Sequence, residues 1–175
     1  MAKSPPAPFR ELVIFDVRVP HLEHFLMGLR LGVEAIVLVA DRDGVHQISS
    51  WIKKHHRFGA VHIFAPGTSH GIQLGNSVLT LKTLPQYQRA LGECRQHLTR
   101  DSVVQIYTNK LSASPHCGPF IEQLGQQLNT AIAIGHYQPG QGCRLPDLVP
   151  DPVYGRTPIS SPLNPTYLNG DDLIL

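Results

Sequence analysis

Four short apolar runs recur along the chain: Leu12-Val13-Ile14-Phe15, Ala35-Ile36-Val37-Leu38-Val39, Ala60-Val61-His62-Ile63-Phe64 and Val103-Val104-Gln105-Ile106-Tyr107. They are nearly continuous rather than alternating, so each predicts a strand buried on both faces. Between them the period lengthens. Leu22, Phe25, Leu26 and Leu29 recur at helical spacing, with Gly32 as the expected stop. Val45, Ile48, Trp51 and Ile52 mark a second helix that Asp41 or Asp43 can cap. A third is expected from about Leu84, burying Tyr87, Leu91, Cys94 and Leu98, and a fourth carries Phe120, Ile121, Leu124 and Leu128. Ala131-Ile132-Ala133-Ile134 closes as a short strand. Between Ile72 and Leu79 two short β-like runs meet at Gly75-Asn76, a hairpin signal. Strands alternating with helices predict an α/β fold: a mainly parallel central sheet, helices on both faces, right-handed crossovers and a small β-hairpin insertion.

The two ends break this rhythm. Pro5, Pro6 and Pro8 predict a disordered stretch over 1–10. The α/β domain is expected over 11–143. From Gly135 onward Pro139, Pro146, Pro150, Pro152, Pro158, Pro162 and Pro165 punctuate a segment without periodicity. Residues 144–175 therefore read as an extended tail, whose Tyr154, Tyr167 and Leu173 are spaced apolar anchors suited to pockets on a partner protein.

Composition narrows the function classes. At 175 residues and 42% hydrophobic content the chain can build one domain with a real core. A net charge of +2 does not call for nucleic acid. The run Lys53-Lys54-His55-His56-Arg57 has no interleaved aromatics and reads as the basic end of a helix. Cys94, Cys117 and Cys143 are odd in number and lack CxxC spacing, which argues against a disulfide framework or a zinc site and for a reducing compartment. The start has no apolar signal region and no run is long enough to span a bilayer, so a cytoplasmic protein is expected. Cys94 falls on the apolar helix face, and His62 lies inside a strand, where a packed, hydrogen-bonded histidine is expected. His21 and His24 share a helix face, but no third ligand accompanies them. No phosphate or dinucleotide fingerprint occurs, so neither metal nor cofactor is expected, and no small-molecule substrate is identified.

Several short motifs occur in order over residues 11 to 134: Leu12-Val13-Ile14-Phe15-Asp16 with Val19-Pro20, Gly32-Val33-Glu34-Ala35-Ile36-Val37-Leu38, Arg42-Asp43-Gly44-Val45-His46-Gln47-Ile48, Val61-His62-Ile63, Gln73-Leu74-Gly75-Asn76, Tyr107 and Phe120-Ile121-Glu122-Gln123-Leu124. Their order resembles a domain family of unknown function, found as an N-terminal module of very large cyanobacterial and proteobacterial surface proteins. The resemblance implies a fold like that of the caspase–hemoglobinase (clan CD) cysteine peptidases, a three-layer sandwich. In that family the third strand runs into Ser-His-Gly and the fourth into Tyr-Gly-Cys, giving an imidazole base beside a thiolate nucleophile. Here Ala65-Pro66-Gly67 and Tyr107-Thr108-Asn109 stand at those places, with both flanks in register. The resemblance therefore implies a pseudoenzyme with Pro66 and Asn109 at degenerate positions. The expected function is an interaction module that docks on, or is a subunit of, a larger assembly through its scaffold and tail. The alternative is a cysteine peptidase with a displaced dyad. Ser69-His70-Gly71 repeats the family's words four residues later, and Cys117 precedes a helix at Gly118, where the helix N-terminus could lower a thiol pKa.

Overall fold

The computed structural model describes residues 10–111 and 114–136. The N-terminal prolines, Cys143 and the segment 144–175 with Tyr154, Tyr167 and Leu173 lie outside the described residues. In chain order the elements are β1 (Glu11–Asp16), α1 (Leu22–Met27), β2 (Val33–Leu38), α2 (Gly44–Ile52), β3 (Phe58–Phe64), β4 (Gly71–Leu74) and β5 (Ser77–Thr80). A 3₁₀ turn (Leu84–Tyr87), α3 (Gln88–Gln96), β6 (Leu98–Thr108), α4 (Cys117–Leu128) and β7 (Ala131–His136) follow.

Five strands form one all-parallel sheet in the order β2-β1-β3-β6-β7, and β4 and β5 pair as a separate antiparallel hairpin. The register aligns Ile36, Ile14, Ile63, Ile106 and Ile134 in one row across all five strands. This isoleucine row belongs to the main core, where α2, α3 and α4 pack with Val45, Ile48, Leu91, Phe120 and Leu124. The next row, pointing to the other face, reads Val37, Phe15, Phe64, Tyr107 and Gly135. Its rings stack side by side, Phe15 on Phe64 at 4.9 Å and Phe64 on Tyr107 at 4.2 Å. Phe25 of α1 closes over Phe15 and Phe64. β-Branched residues on one face and aromatic ones on the other suit a sheet covered on both sides, and the layered α/β architecture follows.

The structure departs from expectation at four places. α1 is only six residues long and stops at Gly28, whose N–H bonds back to His24 and Phe25 carbonyls. It buries Phe25 alone and leaves Leu26 and Met27 exposed, so its apolar pattern overstates its length. Gly32 is instead a turn residue at φ +86°, just before β2. β2 is an edge strand and only partly buried, with Ala35 exposed. The third helix divides at Gln88 because Pro85 favours the tight 3₁₀ start. Leu98 leaves that helix altogether: it begins β6 opposite Phe58, and the ladder then jumps to Ala60 opposite Val103, bulging the residues between. Asp43, of the two candidate caps, is the one used; its Oδ1 accepts the His46 N–H at 3.0 Å.

Candidate functional site

β1, β3 and β6 end side by side at Asp16, Phe64 and Thr108, and the loops beyond them form the carboxyl edge where α/β proteins usually place chemistry. Two of these loops are fastened together. The Ala65 N–H donates to the Tyr107 carbonyl at 3.1 Å. The Gly67 N–H donates to Asn109 Oδ1 at 3.0 Å. A Cβ on Gly67 would lie 2.3 Å from Thr108 Oγ1, so only glycine lets the loops approach this closely. Pro66 and Asn109, which the resemblance puts at degenerate positions, therefore lie in adjoining loops. Pro66 has no side-chain acid or base, and Asn109 spends its amide oxygen on the backbone.

Ser69-His70-Gly71 lies further along the same β3–β4 loop, at the entry to β4. The Thr68 N–H donates to the Gly71 carbonyl at 2.8 Å, and Thr68 Oγ1 accepts the His70 and Gly71 N–H groups. Ser69 Oγ lies 2.7 Å from His70 Nδ1. Ser114 Oγ donates to the Ser69 carbonyl and accepts the His116 N–H, so this loop is held to the start of α4. The His70 ring stacks on that of His116, centroids 4.5 Å apart and 22° from parallel. His116 is the N-cap of α4 and Cys117 its first residue, half-buried. The structure thus brings His70 to the end of α4 that carries Cys117, with His116, the N-cap of α4, as the ring it contacts. Nothing in the spacing of Ser69-His70 and Ser114-Pro115-His116 along the chain signals that pairing.

The motif residues that carry the family resemblance do another job. Asp16, fully buried, accepts the Gly75 N–H at 2.7 Å, the Arg18 N–H at 3.0 Å and the Arg18 guanidinium at 3.1 and 3.2 Å. Arg18 Nη2 in turn donates to the Gly75 carbonyl at 2.7 Å. Asn76 donates to the Arg42 and Asp41 carbonyls, and the Gln47 amide bonds both backbone groups of Val39 and the Arg42 carbonyl. The Tyr87 hydroxyl donates to Asp43 Oδ2 at 2.6 Å; burial, then this bond, raises its pKa. A Cβ on Gly75 would sit 2.0 Å from the Arg42 carbonyl oxygen, and one on Gly44 2.4 Å from the Leu74 carbonyl carbon. These residues clasp the β4–β5 hairpin onto the start of α2.

Beneath the aromatic row lies a polar one: Ala35, Val13, His62, Gln105 and Ala133. His62 Nδ1 is 3.1 Å from the Tyr107 hydroxyl. Burial, reinforced by the positive charge of Arg30, pushes its pKa down to about 3, so the imidazole is neutral. Burial also raises the Tyr107 phenol. Arg30 is occupied with Glu11 at 2.7 Å. Cys94 is buried as expected, its thiol pushed up to about 12 by burial, which makes it a poor nucleophile. Among the described residues no three His, Cys, Asp or Glu side chains are placed to hold a metal ion, and the His21 and His24 rings are 6.1 Å apart. No helix among them is long and apolar enough to cross a membrane.

No curated protein matches the chain. The model of one family, described as a domain of unknown function (DUF4347), matches residues 12–142, well over half of the sequence, and the chain belongs to that family.

Proposed function

We propose that this domain is a peptidase-like scaffold without its catalytic pair, working as an interaction module that docks on, or is a subunit of, a larger cytoplasmic assembly. The all-parallel sheet flanked by helices is compatible with a caspase–hemoglobinase ancestry, and the resemblance to modules of large bacterial surface proteins favours a role in assemblies. The observation that supports the loss of catalysis is the tie between Asn109 Oδ1 and the Gly67 N–H. The place where the resemblance puts a thiolate holds an amide, and that amide serves the backbone. A protein freed from catalysis keeps what its fold needs, and the hairpin clasp is intact while the reactive positions are not. Docking is assigned to the scaffold together with the tail anchors Tyr154, Tyr167 and Leu173.

The stack of His70 on His116, beside Cys117, favours a second reading, a cysteine peptidase with a displaced His70/Cys117 dyad. One experiment separates the two. A thiol-directed peptide electrophile is incubated with the Cys143→Ser chain, with and without His70→Ala. The scaffold reading expects slow labelling of Cys117 that does not saturate and is indifferent to His70→Ala. Saturable labelling that disappears with His70→Ala establishes the peptidase reading instead.

A further inference from the structure

The outer side of β2 is an open edge. β2 has β1 as its only neighbour in the sheet, and the two run in unbroken register over six pairs. Backbone groups along a strand turn alternately to its two sides. The Leu38 carbonyl accepts the Val17 N–H at 3.2 Å on the β1 side, so Glu34, Ile36 and Leu38 face β1 and Val33, Ala35 and Val37 face outward. Both ends of the outward row are closed. The Arg30 carbonyl accepts the Val33 N–H at 3.2 Å. The Gln47 amide bonds the N–H and the carbonyl of Val39, just past β2, at 3.0 and 3.1 Å. Between these closures Ala35 and Val37 offer both backbone groups and Val33 its carbonyl. Proteins ordinarily blunt such an edge with lysine, proline or a bulge, and β2 has none of these. Exposed apolar side chains gather here too. Of the six large ones among the described residues, five fall in the span 17–39, and Leu31 is wholly exposed.

A strand closes such an edge, and this edge fits a strand like itself. The outward positions read Leu31, Val33, Ala35, Val37 and Val39, nearly symmetric in size about Ala35. We propose that two copies of the chain pair β2 to β2, antiparallel, across a two-fold axis at Ala35, joining their sheets into one. Ala35 then faces its own counterpart and Val33 faces Val37 of the second copy, so the open N–H and C=O groups answer one another. The same register brings exposed Leu31 to exposed Val39 of the second copy. Side chains opposite one another share a face of the sheet, so the axis must pass through a single residue, and the neighbouring choices fail. An axis at Glu34 sets two carboxylates face to face. An axis at Ile36 sets Val33 against Val39, whose outer side Gln47 already occupies. With the axis at Ala35, Glu34 lies opposite Ile36 of the second copy, and Arg10 answers its charge at 3.2 Å. A strand from another protein would need none of this symmetry, which is why a second copy is the occupant. The dimer does not depend on the tail or on the loss of catalysis.

Sedimentation velocity of the full chain over a range of concentrations should show a monomer–dimer equilibrium. Ala35→Pro removes an outward N–H that takes no part in the ladder with β1, a place where an edge strand accepts proline. It should weaken the dimer about a hundredfold, since each copy loses one inter-strand bond, while the circular dichroism of the folded chain is kept. Leu31→Glu carries no folding risk, because Leu31 is wholly exposed in the single chain, and should weaken the dimer about tenfold. Crosslinking tests the register. In a Cys117→Ser, Cys143→Ser background, Ala35→Cys should oxidise with diamide to a covalent dimer much faster than Arg89→Cys, whose side chain is exposed on α3. Cα atoms facing each other across the axis lie roughly 5.5 Å apart, within disulfide reach. A chain that stays monomeric overturns the proposal. So does a dimer that survives both Ala35→Pro and Leu31→Glu, or one that crosslinks no faster at Ala35→Cys than at Arg89→Cys. A monomeric chain that captures another protein and releases it on Ala35→Pro also overturns it, and gives the edge to that protein's strand.

Discussion

The clearest energetic consequence at the scale of one residue belongs to His62. Its strand position makes burial unavoidable, because the residues before and after it, Val61 and Ile63, face the main core and it faces the other layer. Held at about 3 in the fold, its pKa is far below the ordinary value of 6.5 that the unfolded chain restores. Below pH 6.5 the unfolded state therefore binds a proton that the folded state refuses. The stability lent by the neutral imidazole is complete above pH 6.5 and declines as pH falls towards 3, by up to about 1.4 kcal/mol for each pH unit. Urea midpoints measured from pH 7.5 to 4.5 should fall in the wild-type chain and fall much less in His62→Gln, which keeps a polar group beside Tyr107 but does not titrate. Parallel slopes in the two proteins would show that another group drives the acid sensitivity. Asn109 makes the opposite kind of point. Its residue type excludes nucleophilic chemistry from sequence alone, whereas its bond to Gly67 needed the fold.

At the scale of elements, the β4–β5 hairpin depends on Asp16, which lies 59 residues before Gly75 and is fully buried. Asp16→Ala would leave the Gly75 N–H and the Arg18 guanidinium without their acceptor, a loss of about 2–3 kcal/mol for bonds to a charged group. Gly75→Ala adds a Cβ into the Arg42 carbonyl at a φ of +58°, and should cost more than about 1 kcal/mol. Chemical denaturation measures both, and exchange should rise first in residues 71–80. An undiminished midpoint in Asp16→Ala would mean that hairpin packing through Ile72, Leu74 and Leu79 suffices without the clasp. The hairpin itself was legible, because Gly75-Asn76 is a local turn signal. So were the strands, whose apolar runs need no partner to be recognised, and a cap for α2, which the sequence left between Asp41 and Asp43. The clasp was not, since nothing in the sequence near Asp16 names Gly75. Nor was the His70–His116 stack, or the passage of Leu98 from helix to strand. That passage is decided by pairing with Phe58 across the sheet rather than by Leu98's own spacing. Of the candidate site, residue types were readable and proximities were not.

For the whole molecule, two buried clusters on opposite faces of one sheet give the domain a core made from residues 12–132. The proposed docking role assigns Tyr154, Tyr167 and Leu173 to a partner rather than to that core, so on this reading replacing them should cost little stability. The triple change Tyr154→Ser, Tyr167→Ser and Leu173→Ser is expected to stay within about 0.5 kcal/mol of the wild type, as substitutions away from buried features usually do. On a chain of this size that is a shift of roughly 1–2 °C in the melting midpoint. Tyrosine anchors carry much of the affinity where a peptide segment docks in pockets, with apolar neighbours such as leucine adding contact, so the same change should abolish co-purification with the partner from the native extract. Deleting 150–175 should do the same while leaving the domain folded. The two measurements are independent, and their combination decides where the tail belongs. A large drop in the melting midpoint of the triple variant would place these side chains in the domain's own core. An unchanged midpoint with full partner recovery would move the docking surface onto the scaffold. Lost recovery with an unchanged midpoint is the result that assigns recognition to the arm, because a domain that still folds and no longer binds has lost only its anchors.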